Sequence, residues 1–221
     1  MKPKNQTFRH NLLTILALGL VPASLYSLDQ PWRERIMDDG TTTVRWTIGE
    51  TEHSFKPEKS RLMKLTAETV HRGSLNDVLA VFTNVEQHNQ LVMDRRTKFL
   101  KKISENEWKV YYHNQFPWPL TDQEIVAIMK IEKFPSEKKA RVEITALTEP
   151  DYSEVKEAVK NKDYSAVFEI QETGESELKI KLVSNCLPPV RAPEWILNRT
   201  YHTIPHRIVS KLKKFSTKTD P

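Results

Sequence analysis

Two histidines four residues apart, His202 and His206, have the spacing that brings both imidazoles to one helix face, as a zinc helix requires. No glutamate follows His202 in the His-Glu-x-x-His order, and Pro205 lies between the two, so the sequence predicts surface histidines and no metal site. The single thiol, Cys186, sits in Val183-Ser184-Asn185-Cys186-Leu187-Pro188-Pro189, without a Gly-rich turn or adjacent histidine to activate it. It is expected to behave as a small packed apolar residue. Tyr112, His113 and Glu124 are the acid or base candidates, but no spacing pairs them. Asn198-Arg199-Thr200 spells a glycosylation sequon inside an expected helix. Phosphate-cradling glycine loops and Gly-x-Ser-x-Gly elbows are missing from the 221 residues. Little here promises catalysis, and no cofactor is expected.

The composition is that of a globular chain, with 38% hydrophobic residues and only five glycines. Its formal charge of +5 comes largely from the first residues, where Lys2, Lys4 and Arg9 stand without an acid. Setting those three aside leaves 31 basic against 29 acidic side chains of the 34 and 29 in the chain, which removes the usual electrostatic support for a nucleic-acid partner. The same residues open a basic n-region followed by the apolar run Leu12 to Val21 and then Pro22-Ala23. This reads as a signal peptide over residues 1–23, with a later cleavage alternative after Ser27. The competing reading is an uncleaved anchor, since apolar character continues through Leu25, Tyr26 and Leu28, against which the run is shorter than a bilayer span needs and is broken by Pro22. Export to a periplasm or secretion is therefore expected, and with one cysteine the mature chain has no intrachain disulfide and must rely on its core.

The elements that position the candidates follow from periodicity. Residues 24–41 are assigned to an N-terminal arm, in which the polar stretch from Asp29 to Asp39 is expected as a short helix or an arm with Trp32 as its core contact. Thr42 to Thr47 and Glu52 to Phe55 bracket Gly49 like a hairpin, and Leu62 to Val70 alternates as a half-buried strand. Ser74 caps a helix carrying Leu75, Val78, Leu79 and Phe82, with a second short helix expected from Val85 to Asp94. A meander is then predicted: Thr97 to Ile103, Trp108 to Asn114, Glu124 to Lys133, Lys139 to Leu147, Ser165 to Gln171 and Leu178 to Ser184. Asp151 to Asn161 has helical spacing at Val155, Ala158 and Val159, predicting a short helix or lid loop. From Pro193 to Phe215 an apolar stripe (Leu197, Tyr201, Ile204, Ile208, Leu212, Phe215) predicts one long helix, bent at Pro205, with Arg207, Lys211, Lys213 and Lys214 on its outer face.

Two motifs carry a resemblance. Tyr111 to Asp122 is an aromatic strand ending in the corner Pro117-Trp118-Pro119-Leu120-Thr121, and Pro193-Glu194-Trp195-Ile196-Leu197-Asn198 opens the last helix. In that order they resemble hallmarks of the START domain (steroidogenic acute regulatory protein-related lipid transfer). The early helix at Leu75 to Phe82, and Val159-Lys160 followed by Ala166-Val167-Phe168, fit the same order. The chain departs from the family at Gln123-Glu124 for Arg-Asp, at Lys160 for Arg, and at Leu187-Pro188-Pro189 for Gly-Gly. Because arginine grips a polar head bidentately and these residues do not, the changes bear on the ligand's head group. The resemblance implies an α+β helix-grip fold over residues 42–217: a curved antiparallel sheet wrapped around a long C-terminal helix, enclosing a hydrophobic cavity, with that helix as gate.

Alternation then nominates the wall of such a cavity: Trp108, Val110, Tyr112 and Asn114 on one strand, Ala127 and Met129 on the next, Val142 and Ile144 on a third, and Leu197, Tyr201 and Ile204 from the helix. The alanines Ala127, Ala140 and Ala146 either leave volume or simply pack beneath the helix. Glu124 and Arg141 fall on the opposite, solvated face. The expected activity is binding, transfer or sensing of one lipid or sterol-like ligand by a monomer in transient contact with membrane. The alternative is a cyclase- or aromatase-like enzyme in the same cup, and a third is a filled scaffold serving a protein partner.

Overall fold

The computed structural model describes residues 31–53, 56–92, 96–116, 118, 120–188 and 193–217; the leader expected over 1–23, and its later alternative at 27, lie outside them. The chain enters as β1 (Arg33–Ile36), β2 (Thr42–His53) and β3 (Lys56–Arg72), followed by α1 (Leu75–Thr83) and α2 (Val85–Val92). The meander follows as β4 (Lys98–Ser104), β5 (Glu107–Asn114), β6 (Gln123–Phe134), β7 (Lys139–Ala146), the two-residue β8 (Val159–Lys160), β9 (Ser165–Gly174) and β10 (Glu177–Cys186). Helices α3 (Glu194–Thr200) and α4 (Thr203–Ser216) complete it.

Strict alternation builds the sheet. In β7, Ala140, Val142, Ile144 and Ala146 are buried while Arg141, Glu143 and Thr145 point away. The strand order is β1-β2-β3-β10-β9-β7-β6-β5-β4, every neighbouring pair along it antiparallel, so the early hairpin β2–β3 joins the meander through its last strand. One face of this curved sheet receives α1 and α4, which gives the helix-grip arrangement expected of the sequence. Ser74 caps α1 by accepting from the Asp77 amide.

Several expectations are corrected. Gly49 does not turn the chain: β2 runs through it, paired with Leu62, because the ladder to β3 and burial of Trp46 and Ile48 outweigh glycine's weak strand preference. The arm from Arg33 holds a strand in place of the short-helix alternative, pairing with β2 from Arg33↔Trp46 to Ile36↔Thr43. Trp32 is half exposed, and Met37 is the arm's buried residue. The turn between β1 and β2 uses Gly40 at φ 65° and the Asp39 carboxylate, which accepts from the amides of Thr41 (3.0 Å) and Thr42 (2.9 Å).

The segment expected as a helix or lid near Asp151 is neither. It crosses the sheet's outer face and ends in β8, parallel to β6. Glu124 holds it there. That carboxylate, expected in solvent, is 2% exposed and accepts from Tyr111 Oη and Ser153 Oγ (both 2.6 Å) and from the amides of Glu154 (2.8 Å) and Val155 (2.6 Å). Amides bonded to Glu124 cannot close a helical turn. Arg141 is half-buried and pairs with Glu143 at 3.2 Å rather than with Glu124.

The C-terminal segment is two helices, broken before Pro205 rather than bent at it. A proline has no N–H to give the carbonyl four residues back and its ring collides with that carbonyl, which here belongs to Tyr201. The break falls at Tyr201-His202, leaving Pro205 in the first turn of α4 and Ile204 N–H donating to Tyr201 O at 3.2 Å.

Burial by itself would raise the Glu124 carboxyl, but its hydrogen bonds outweigh this and hold it below the ordinary 4.5. Glu124→Gln should cost about 3 kcal/mol, read as a lower denaturant midpoint at unchanged slope. Because the folded-state value is depressed, the wild-type advantage should be full above pH 4.5 and shrink as the pH falls below it.

Candidate functional site

Between the sheet's concave face and the two C-terminal helices lies a cavity of about 810 Å³. Strands supply Tyr112, Asn114, Gln123, Ile125, Ile144 and Phe168. The break between α3 and α4 supplies the roof, with Leu197 and Tyr201 on one side and Ile204 and Ile208 on the other. Phe82, His88 and Leu91 from α1 and α2 close the back.

Six of the eleven nominated residues line it: Tyr112, Asn114, Ile144, Leu197, Tyr201 and Ile204. Trp108, Val110, Ala127, Met129 and Val142 do not. They share the inward face but lie further along their strands, in registers such as Trp108↔Met129 and Ile131↔Val142, where they belong to the buried core. Ala127, Ala140 and Ala146 are packed core residues for the same reason.

The interior is polar in places, and no Asp or Glu is among the described residues that line it. His88 Nε2 and Tyr112 Oη are hydrogen-bonded at 3.0 Å, with both residues buried. Burial pulls the imidazole down to about 4, against a weaker pull from the Val81 carbonyl, and pushes the Tyr112 phenol up, so both are neutral at physiological pH. Burial also raises the phenols of Tyr164 and Tyr201 and pushes the Cys186 thiol up to about 12, which suits the packed role expected of that cysteine and disarms it as a nucleophile. The Tyr201 hydroxyl is buried without a hydrogen-bond partner among the described residues. Gln123, at the position where an arginine was expected by resemblance, is tied to the framework. Its Nε2 donates to the carbonyls of Leu187 (3.4 Å) and Pro188 (3.3 Å), and its Oε1 accepts from Asn161 Nδ2 at 3.2 Å. Lys160 is exposed on the outer edge and takes no part.

The corner that ends β5 is closed by Asp122, which accepts from the Phe116 amide at 2.9 Å and stands 3.1 Å from His113 Nε2. His113 is therefore a buried structural partner of the corner. Phe116 and Leu120 turn into the cavity while Trp118 is 92% exposed. His202, expected at the surface, is buried at the helix break. It stacks on Trp46 with ring centroids 5.1 Å apart and lies 3.3 Å from Arg35. His206 instead approaches Asp39 at 3.6 Å, and no group of metal-ligating side chains is found among the described residues.

No family model and no curated protein matches the chain. Solved structures do. Human STARD10 superposes at a TM-score of 0.65 with 16% identity, covering 85% of this chain and 74% of that one. The STAR-related lipid transfer protein from Xanthomonas axonopodis gives 0.62 with 19% identity, over 84% of this chain and 98% of its own. Human StAR-related lipid transfer protein 5 gives 0.63 with 11% identity, over 85% and 86%. The chain has the START fold. Phe116 and Leu120 of the corner and Ile196 near the start of α3 line the cavity.

Sequence reasoning missed His88, Phe82 and Leu91, because helix periodicity gives the buried face without saying that it meets a void. The buried His88 contributes a pH dependence of defined sign. Its folded value lies below the ordinary 6.5, so the unfolded chain takes up the proton first and stability falls as pH drops from 6.5 toward 4. Unfolding titrations should show that loss, about 3 kcal/mol, shrinking in His88→Gln, while NMR should find the His88 ring untitrated above pH 5.

Proposed function

We propose that the protein binds one hydrophobic molecule, a lipid or sterol-like compound, in this cavity and carries or senses it as a monomer outside the cytoplasm. The observation that carries the reading is the cavity: a neutral, largely apolar void in the size range of single small-molecule sites. Burial of the ligand's apolar surface supplies the affinity, with roughly 25 cal/mol gained per Å² removed from water. The solved neighbours named for lipid transfer favour the same reading.

Transfer requires contact with a membrane. Two indoles favour it, Trp118 at 92% and Trp195 at 67% exposure, each within two residues of side chains that line the cavity. Exposed tryptophans partition to the membrane interface, where an apolar ring and a polar N–H are both accommodated. An enzymatic alternative would have to use the His88 and Tyr112 pair. An imidazole held near 4 is a weak base at neutral pH, and the pair serves better as a hydrogen-bonding wall.

Ile204→Trp combined with Ile208→Trp should fill the roof side of the void and lower uptake of a fluorescent fatty acid tenfold or more, with the fold intact by circular dichroism. Unchanged uptake would remove the cavity as the binding site. Trp118→Ala with Trp195→Ala should leave binding in solution unchanged but slow lipid exchange between vesicles.

A further inference from the structure

No Asp or Glu is found among the described residues that line the cavity, and the ionised side chains that do, Arg96 and Arg207, are both exposed at its mouth. They come from different elements, the segment after α2 and the middle of α4. Lys211 does not line the cavity but lies one turn beyond Arg207 on α4, with its ammonium donating to the Gln90 carbonyl on α2. Burial and then the nearby charges of Arg207 and Lys214 push the Lys211 ammonium below its ordinary range, while the Arg96 guanidinium lies 3.5 Å from His113 Nε2. Arg207, expected on the helix's outer face, has no partner among the described residues. Deeper inside, His88, Tyr112 and Cys186 are held neutral by burial, so a charged head drawn in among them would be desolvated with nothing to balance it.

We infer that the ligand is an amphiphile with an anionic head, its apolar tail in the neutral cavity and its phosphate or carboxylate held at the mouth by Arg207, Arg96 and Lys211. This rests on the proposed binding function and assigns its ligand class. Guanidinium groups suit the task, since they stay charged and meet either kind of oxyanion with paired donors. A low-dielectric wall behind the cations strengthens their field at the mouth.

Calorimetric titration with dihexanoyl phosphatidic acid, dihexanoyl phosphatidylcholine and laurate, each below its micelle concentration and without vesicles, tests the assignment. Wild type should bind an anionic probe about tenfold tighter than the phosphatidylcholine, and comparing laurate with the phosphatidate identifies which oxyanion is preferred. Arg96→Gln with Arg207→Gln should bring the affinities to parity by weakening only the anionic probes, while Lys214→Gln should change nothing. Equal affinities in wild type, or a preference that survives the double substitution, would overturn the inference and leave the binding function standing. Failure of all three probes to bind would overturn both.

Discussion

The absent N–H of Pro205 shapes the functional end of the molecule. An uninterrupted helix from Pro193 would need the Tyr201 carbonyl to accept from residue 205, and proline offers no donor and a ring in the way. The segment therefore breaks at Tyr201-His202. On one side of the break Leu197 and Tyr201 reach the cavity; on the other, Ile204 and Ile208 do. The two helices that flank this interruption both contribute to the roof of the void.

Such a break must be held, and the N-terminal arm holds it. Arg35 from β1 reaches His202, whose ring lies against Trp46 of β2. Beyond the turn, Asp39 ties the far part of α4 through Lys213 at 3.1 Å. Burial opposes ionisation of Asp39, but its bonds from Thr42, Thr41 and Lys213 prevail and hold the carboxyl well below the usual range. At the other end of α4, Ser216 packs so closely on Gly73 that a β-carbon there would lie 2.5 Å from its Oγ, and His71 Nε2 lies 2.6 Å from the same oxygen. The roof is thus clamped at its start by the arm and at its end by the joint between β3 and α1.

Much of this was legible in the sequence, for definite reasons. Seven of the ten strands and both early helices follow from period-two and period-3.6 patterns, and the two proline-tryptophan motifs gave the arrangement. The arm was not legible, because Arg33 to Ile36 carries no alternation of buried and exposed residues: all four are exposed, and an edge strand is made by its partner. Glu124 was misread because alternation gives the face of a sheet and says nothing of a loop that covers it. The cavity wall was half legible for a related reason. Tyr112 and Trp108 have the same parity on β5, yet only Tyr112 meets the void, and where along a strand packing fails depends on helices far away in sequence.

The cavity and its roof support the proposed binding of one lipid or sterol-like molecule. Native mass spectrometry of the protein purified from its own host, followed by lipid extraction, tests that claim most directly. The account predicts one additional mass at near-unit stoichiometry, released by organic solvent and identified as a lipid or sterol-like compound. A protein that runs at its apo mass and stays so against a broad panel of lipids would contradict it.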